Sequence, residues 1–369
     1  MRKKDENKMI KNNNLPIPKT AKIQTVHRKI GKNVVISDNV VIVSKDLIID
    51  DNVIIGANTT IKGNFVKIGM NSEIKKNSDI NVIEKFELGS RSVLCNCEIK
   101  GRNIKIGNDF FSSVPKGNYF IVGGGSCFYP KSTLQIGNRC TIHDVYINIA
   151  MPVKIGDGVG ISHGTKIFTH FFWDSIFNGY PQKFERVEIS NGCIIGAESF
   201  FLPGTKVGKN CVVAARSVIT KKFPADCMIA GNPSKIIKRK TKEKITKSKQ
   251  LELVKKTLEW YADILTKKGF IVKKDIKNEL MYHVTKNGKK TIIVFLTKPL
   301  KIKNKENCLI LTFNNIPKSK NQTIFNLSKK TLNGIENVLS DDLRDFLRKI
   351  GIRIFTDRKF QSLKFTGEH

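Results

Sequence analysis

Large apolar residues recur every six positions along much of this chain, and that step sets its architecture. From Ile189 the hexads ISNGCI, IGAESF, FLPGTK, VGKNCV, VAARSV and ITKKFP follow without a break, placing Ile189, Ile195, Phe201, Val207, Val213 and Ile219 in one column. In the first five of them the fifth residue is small: Cys193, Ser199, Thr205, Cys211 and Ser217. A helix repeats every 3.6 residues and cannot keep a strict six-residue step. The pattern predicts a solenoid of short flat strands with tight corners. The large residue fills the interior, the small one sits where the chain turns, and the rest face water.

The same unit recurs earlier in a looser form, headed by Ile30, Ile36, Ile49, Ile55, Ile61, Ile68, Ile74, Leu88, Ile106, Ile136, Ile155 and Ile161. One-residue slips between these runs predict bulges or short excursions. Two longer interruptions stand out: about 109–135, rich in Gly, and 171–188, rich in aromatics. Long irregular insertions in a regular scaffold are usually functional. Cys140, Cys193 and Cys211 occupy the small fifth position, which makes them core-lining residues.

The hexads stop near Thr246. LELVKKTLEWYADILTKKGF has the spacing of an amphipathic helix closed by Gly269, and FIVKKDI, ELMYHVT, KTIIVFL and CLILTF read as strands. Asn287-Gly288 supplies a hairpin turn, and Ser340 with Asp341 and Asp342 starts a last helix that Gly351 ends. The expected division is a basic N-terminal segment, partly disordered, over 1–29, a solenoid over 30–240 and an α+β accessory domain over 246–369. No catalytic constellation is legible in the last of these.

Composition narrows the partners. Of 369 residues, 40% are hydrophobic and 26% charged, the balance of a soluble globular protein. No stretch has the 18 or so apolar residues of a membrane span, and MRKKDENKMIKNNN lacks the apolar core of a secretory signal. A cytoplasmic protein is expected. The formal charge of +33 admits an anionic partner, whether acidic glycan, membrane surface or nucleic acid. The lysines are spread along the chain, however, and no nucleic-acid module signature is present, so the expectation is no nucleic-acid partner. An anionic acceptor and peripheral membrane contact both remain compatible with the charge. Cys95 and Cys97 form one C-x-C, but no pair of C-x-x-C knuckles exists for structural zinc.

The in-register run IIGAESFFLPGTKVGKNCVVAARSVITKKFPADCMIAGNPSKIIKR resembles the terminal coils and coenzyme A segment of the hexapeptide-repeat acyltransferases, sugar O-acetyltransferases in particular. The resemblance spans about residues 30–240. It implies a left-handed parallel β-helix, followed here by the small α+β domain, a homotrimer with active sites between subunits, and acetyl-CoA as co-substrate with no metal. It also implies that a histidine before the last unbroken hexads takes the acceptor's proton, and His170 stands there. Asp174 is a candidate to orient that base or to touch the acceptor. Trp173, His163 and Asn148 are candidate acceptor contacts, Trp173 as a stacking face for a sugar. Small residues at Gly196, Ala197, Ala214 and Ala215 would let the pantetheine arm approach the main chain. Gly231 and Pro233 lie in the exit turn, and Lys235, Lys238 and Arg239 would meet the nucleotide phosphates. The chain departs from the common pattern at Ile194, where Trp is frequent, and at Arg216, where Gly is frequent.

The leading expectation is thus an acetyl-CoA-dependent O-acetyltransferase acting on a bacterial surface polysaccharide or its precursor. An N-acetyltransferase on an amino-nucleotide sugar would use the same base. A zinc hydratase would need three converging imidazoles, for which His143, His163 and His170 are available. A non-catalytic glycan-binding scaffold is the remaining class.

Overall fold

The computed structural model describes residues 17–114, 118–239, 243–298, 307–317, 321–358 and 362–365. The chain divides into two compact units, Met1–Glu243 and Lys244–His369. The first is a parallel β-solenoid and the second a small α+β body, so the protein is mainly β.

Each late coil of the solenoid contributes one short strand to each of three faces. The first face holds Tyr146–Asn148, Lys166–Ile167, Phe200–Phe201 and Val218–Ile219. The second holds Val153–Ile155, Val187–Ile189, Lys206–Val207 and Lys222–Phe223. The third holds Thr141–Ile142, Gly160–Ile161, Ile194–Ile195 and Val212–Val213. The corners between first and second, second and third, and third and first faces are called here the first, second and third corners. All pairings within the faces of these coils are parallel, and corner amides bond the carbonyls of the next coil, as Gly196 N does to Val213 O at 2.8 Å. That leaves few backbone groups unsatisfied around the prism.

The six-residue column is the core. Ile189, Ile195, Phe201, Val207 and Ile219 are wholly buried, and the small fifth residues beside them are buried too. Smallness is only half of their part. Cys193 Sγ lies 3.0 Å from Gly208 O, Cys211 Sγ 3.1 Å from Pro224 O, and Ser199 Oγ donates to Ala214 O at 3.2 Å, so each ties its corner to the coil below. Burial pushes the Cys193 thiol up to about 12 and keeps it protonated. At the second and third corners one residue takes the left-handed conformation. Asn33, Asn52 and Asn71 do so at the second, and Asn39, Asn58 and Asn77 at the third. Asn tolerates that region better than most residues, and the amides also bond from coil to coil, Asn39 Nδ2 donating to Asn58 Oδ1 at 3.1 Å.

The first coils differ from the late ones. Val41–Ile49, Thr60–Ile68, Asp79–Leu88 and Cys97–Ile106 are single strands that cross the first corner unbroken. The expected register slips are irregularities inside these strands, between Lys62 and Phe65 and between Val82 and Lys85. The coil also begins earlier than expected. Lys22–Ile30 is a strand paired with Val41–Ile49, so the segment assigned to a basic N-terminus contributes its last eight residues to the solenoid; 1–16 lie outside the described residues.

In the second unit, helix α1 (Lys247–Lys267) precedes a six-stranded sheet ordered Ile271–Lys274, Met281–Lys286, Lys289–Phe295, Asn307–Thr312, Gln322–Asn326 and Thr331–Gly334. The last two strands carry no signal that the sequence reading used. Helix α2 spans Val338–Lys349, and its cap is Asn337 rather than Ser340, which sits at the third helical position and completes a capping box. Asp342 is fully buried, bonded by Lys268 Nζ at 2.6 Å, Tyr261 Oη at 2.9 Å and Leu363 N at 2.6 Å.

Candidate active site

The interruption expected at 109–135 still contributes the strands Phe111–Ser112 and Phe120–Gly123 to the solenoid, and its excursion, like the one after His170, leaves at the first corner. One runs from Gly124 to Ser132, between Phe120–Gly123 and Thr133–Ile136; the other follows His170 and returns at Val187. Between them in the stack is a tight corner, Ile149 to Pro152, that follows Asn148. Three coils therefore deliver side chains to one place.

His170 lies at the centre of it, in a two-residue strand that pairs antiparallel with Lys183–Phe184 across the aromatic excursion. Its ring stacks on Phe184 at 5.3 Å between centroids, on Phe172 at 5.6 Å and on Tyr129, from the other excursion, at 6.1 Å. At the edge of the ring, His170 Nδ1 is 2.9 Å from Asn148 Oδ1. The same oxygen accepts from Thr169 Oγ1 at 2.8 Å and from Ala150 N at 3.2 Å, and Thr169 Oγ1 in turn accepts from Met151 N at 3.0 Å. Asn148 is only 4% exposed and Thr169 is fully buried. Burial holds the imidazole below the ordinary histidine range, favouring the neutral ring.

The sequence-derived candidates separate into two groups. Asn148 and His170 are brought together, but Asn148 turns its oxygen to the imidazole instead of presenting it to an acceptor. Among the described residues Asp174 makes no hydrogen bond to His170; its Oδ1 accepts from Ser175 N at 2.6 Å. The aromatic run divides as well. Phe172 packs on His170, whereas Trp173 and Phe177 are each 94% exposed. Tyr129 and Phe184, which no pattern singled out, take their place beside the ring.

His163 lies on the third corner, where its carbonyl accepts from Glu198 N at 2.9 Å. Gly196, Ala197, Ala214 and Ala215 line that same corner in the next two coils. Gly196 has a reason of its own to lack a side chain, since a Cβ there would overlap the backbone of Ala215. Arg216 takes a left-handed backbone, φ 58°, and its Nε bonds Glu198 Oε2 at 2.6 Å. Gly231 and Pro233 form the turn into Ser234–Arg239, a strand antiparallel to Cys227–Gly231 that exposes Lys235, Lys238 and Arg239. Lys238 pairs with Glu243 at 2.8 Å. Higher on this edge a cavity of about 310 Å³ is lined by Asn118, Asp144, Tyr146, Gly164 and Lys166. His143, His163 and His170 do not converge, and among the described residues no group of three His, Cys, Asp or Glu side chains is placed to hold a metal ion. No helix among them is long and apolar enough to cross a membrane.

Residues 186–221 match the family described as bacterial transferase hexapeptide (six repeats). A 2,3,4,5-tetrahydropyridine-2,6-dicarboxylate N-acetyltransferase of Staphylococcus aureus is 34% identical over 76 residues, covering 21% of this chain and 32% of that one. The chain thus spans about a third of the length of the curated relatives it matches. Among solved structures, a hexapeptide-repeat acetyltransferase from Vibrio cholerae is 24% identical over 37% of this chain and 74% of its own, with a TM-score of 0.31. A polysialic acid O-acetyltransferase is 18% identical over 63% and 95%, with a TM-score of 0.30. Likenesses of that size transfer no residue roles. The match that carries weight lies on the unbroken hexads just after His170, where residues 186–221 are similar to the hexapeptide repeats of bacterial transferases.

Proposed function

We propose that the solenoid transfers an acetyl group from acetyl-CoA to a sugar hydroxyl of a bacterial surface polysaccharide or its precursor, in the cytoplasm. The observation that supports this most is His170, neutral and anchored through Nδ1, at the mouth of an aromatic-walled corner beside the transferase hexads. Nε2 takes the acceptor proton as the hydroxyl oxygen bonds the acetyl carbon, and the proton then leaves with the departing thiol. Acetyl-CoA supplies the activated acyl group. The third corner suits its pantetheine arm, with Gly196, Ala197, Ala214 and Ala215 along the edge and the exposed Lys235, Lys238 and Arg239 near its end for the phosphates.

Base and cofactor residues occupy different corners of one prism. A homotrimer, in which the first corner of one subunit meets the third corner of the next, unites them. Residues of the excursion exposed in the single chain, Trp173 and Asp174 among them, then face the acceptor.

Acetyl-CoA turnover against a panel of neutral and acidic polysaccharides and amino sugars tests the reading. Transfer to a hydroxyl, abolished in His170→Ala without loss of fold or trimer, supports it. Transfer to an amine only favours N-acetylation, the chemistry named for the Staphylococcus aureus relative. Wild-type activity in His170→Ala removes that residue from the mechanism.

A further inference from the structure

We propose that Asn148, backed by Thr169, is a positioning residue that fixes His170 in its Nδ1–H tautomer through an uncharged oxygen. The inference rests on His170 as the base and goes beyond it by stating what sets its proton.

Which end of the Asn148 amide faces the ring follows from its neighbours. Ala150 N–H can only donate, so the atom 3.2 Å from it is the carbonyl oxygen. The Thr169 hydroxyl receives Met151 N–H at 3.0 Å and so directs its own proton to the same oxygen at 2.8 Å. That oxygen has no proton to give. The imidazole nitrogen 2.9 Å away therefore carries the hydrogen, and Nε2 of the neutral ring carries the lone pair. The other end of the amide is held too: Gly124, at φ 74°, lies against Asn148 Nδ2, where a Cβ would overlap it. The first excursion thus braces the anchor from one coil away.

An amide oxygen in this place differs from a carboxylate in one respect that can be measured. A carboxylate stabilises the imidazolium and raises the histidine's pKa, whereas an amide oxygen fixes the tautomer without adding charge. The carboxylates of the excursion are directed elsewhere: Asp174 to Ser175 N, and Glu185 to Lys183 at 3.6 Å. The side chains stacked on the ring are Tyr129, Phe172 and Phe184. With burial lowering its pKa, His170 stays neutral to lower pH than an ordinary histidine, and transfer is lost as pH falls through that lowered value.

The test reads tautomer and pH profile together, using acetyl-CoA with water as the acceptor where no better one is in hand. In ¹⁵N-histidine-labelled wild-type protein, His170 should show a protonated Nδ1 and a pyridine-type Nε2. Asn148→Ala should mix the tautomers and lower kcat about a hundredfold, with KM for acetyl-CoA within about twofold. Asn148→Asp should keep the tautomer and move the acid limb of kcat/KM to higher pH. A wild-type Nε2–H tautomer, or an Asn148→Asp acid limb that does not move, overturns the proposal. The wild-type spectrum decides even if Asn148→Ala fails to fold. Loss of the base reading itself is seen separately, as activity that survives His170→Ala.

Discussion

The first coils and the later coils of this solenoid share one core column and differ at a single corner. In Val41–Ile49 and its neighbours the chain crosses the first corner as one pairing strand, and Ser44 pairs with Gly63 beside that crossing. In the later coils the same corner is cut into two short strands. Phe200 pairs with Val218, eighteen residues on, and also with Lys166, thirty-four residues back. The extra length is the aromatic excursion. A strand that pairs through a corner has no backbone to spare, whereas a corner flanked by two self-sufficient ladders can carry an insertion without disturbing the core. The candidate site lies where the wall is broken.

Three measurements break or sharpen that contrast. The largest effect is expected from excising 171–186 and rejoining the corner with a short link. On the proposed reading transfer should fall at least about a hundredfold, since Phe172 and Phe184 leave His170, while the thermal midpoint stays within a few degrees of wild type. A collapse of the melt would show that the excursion is part of the scaffold. Next in size is Phe201→Ala, which empties a fully buried position in the regular column; chemical denaturation should report a loss of about 3–5 kcal/mol. A loss under about 1 kcal/mol would mean that the coils repack freely. The smallest effect is expected at Arg216→Gly. It removes an exposed ion pair with Glu198 and relieves a left-handed non-glycine residue, so the melt should be unchanged or slightly raised. A clear drop would give that edge a structural part.

The second unit offers the sharpest contrast with pattern reading. The stretch SDDLRDFLRK carries six charges in ten residues, yet Asp341, Asp342, Arg344 and Asp345 are buried. The reason lies after it. Leu363 N bonds Asp342, Ser362 bonds Asp345 and Arg358 bonds Asp341, so the chain folds back over α2 and supplies the partners that buried charges require. A periodicity cannot foresee partners that arrive some twenty residues later.

His170 was legible because it sits where a regular run stops, and so were the two excursions. The meeting of Asn148, Tyr129 and Phe184 with it was not. Asn148 and Tyr129 come from two other coils, and only the stacking of coils, at one corner and in one register, brings them within reach; Phe184 arrives by pairing with His170 across the same excursion. Asp174, four residues from His170, was the nearer choice along the chain, but in the single chain its Oδ1 accepts from Ser175 N in its own turn.

By itself, the sequence determined the six-residue step, the buried column that follows from it, and the places where the step is interrupted. These are local consequences of side-chain size and chain length. The tertiary structure alone decided that both excursions open at one corner and that an amide oxygen, not a carboxylate, meets the imidazole Nδ1. The physical reason is that coil stacking joins residues by height along the prism, and height is set by the total length of every coil between them.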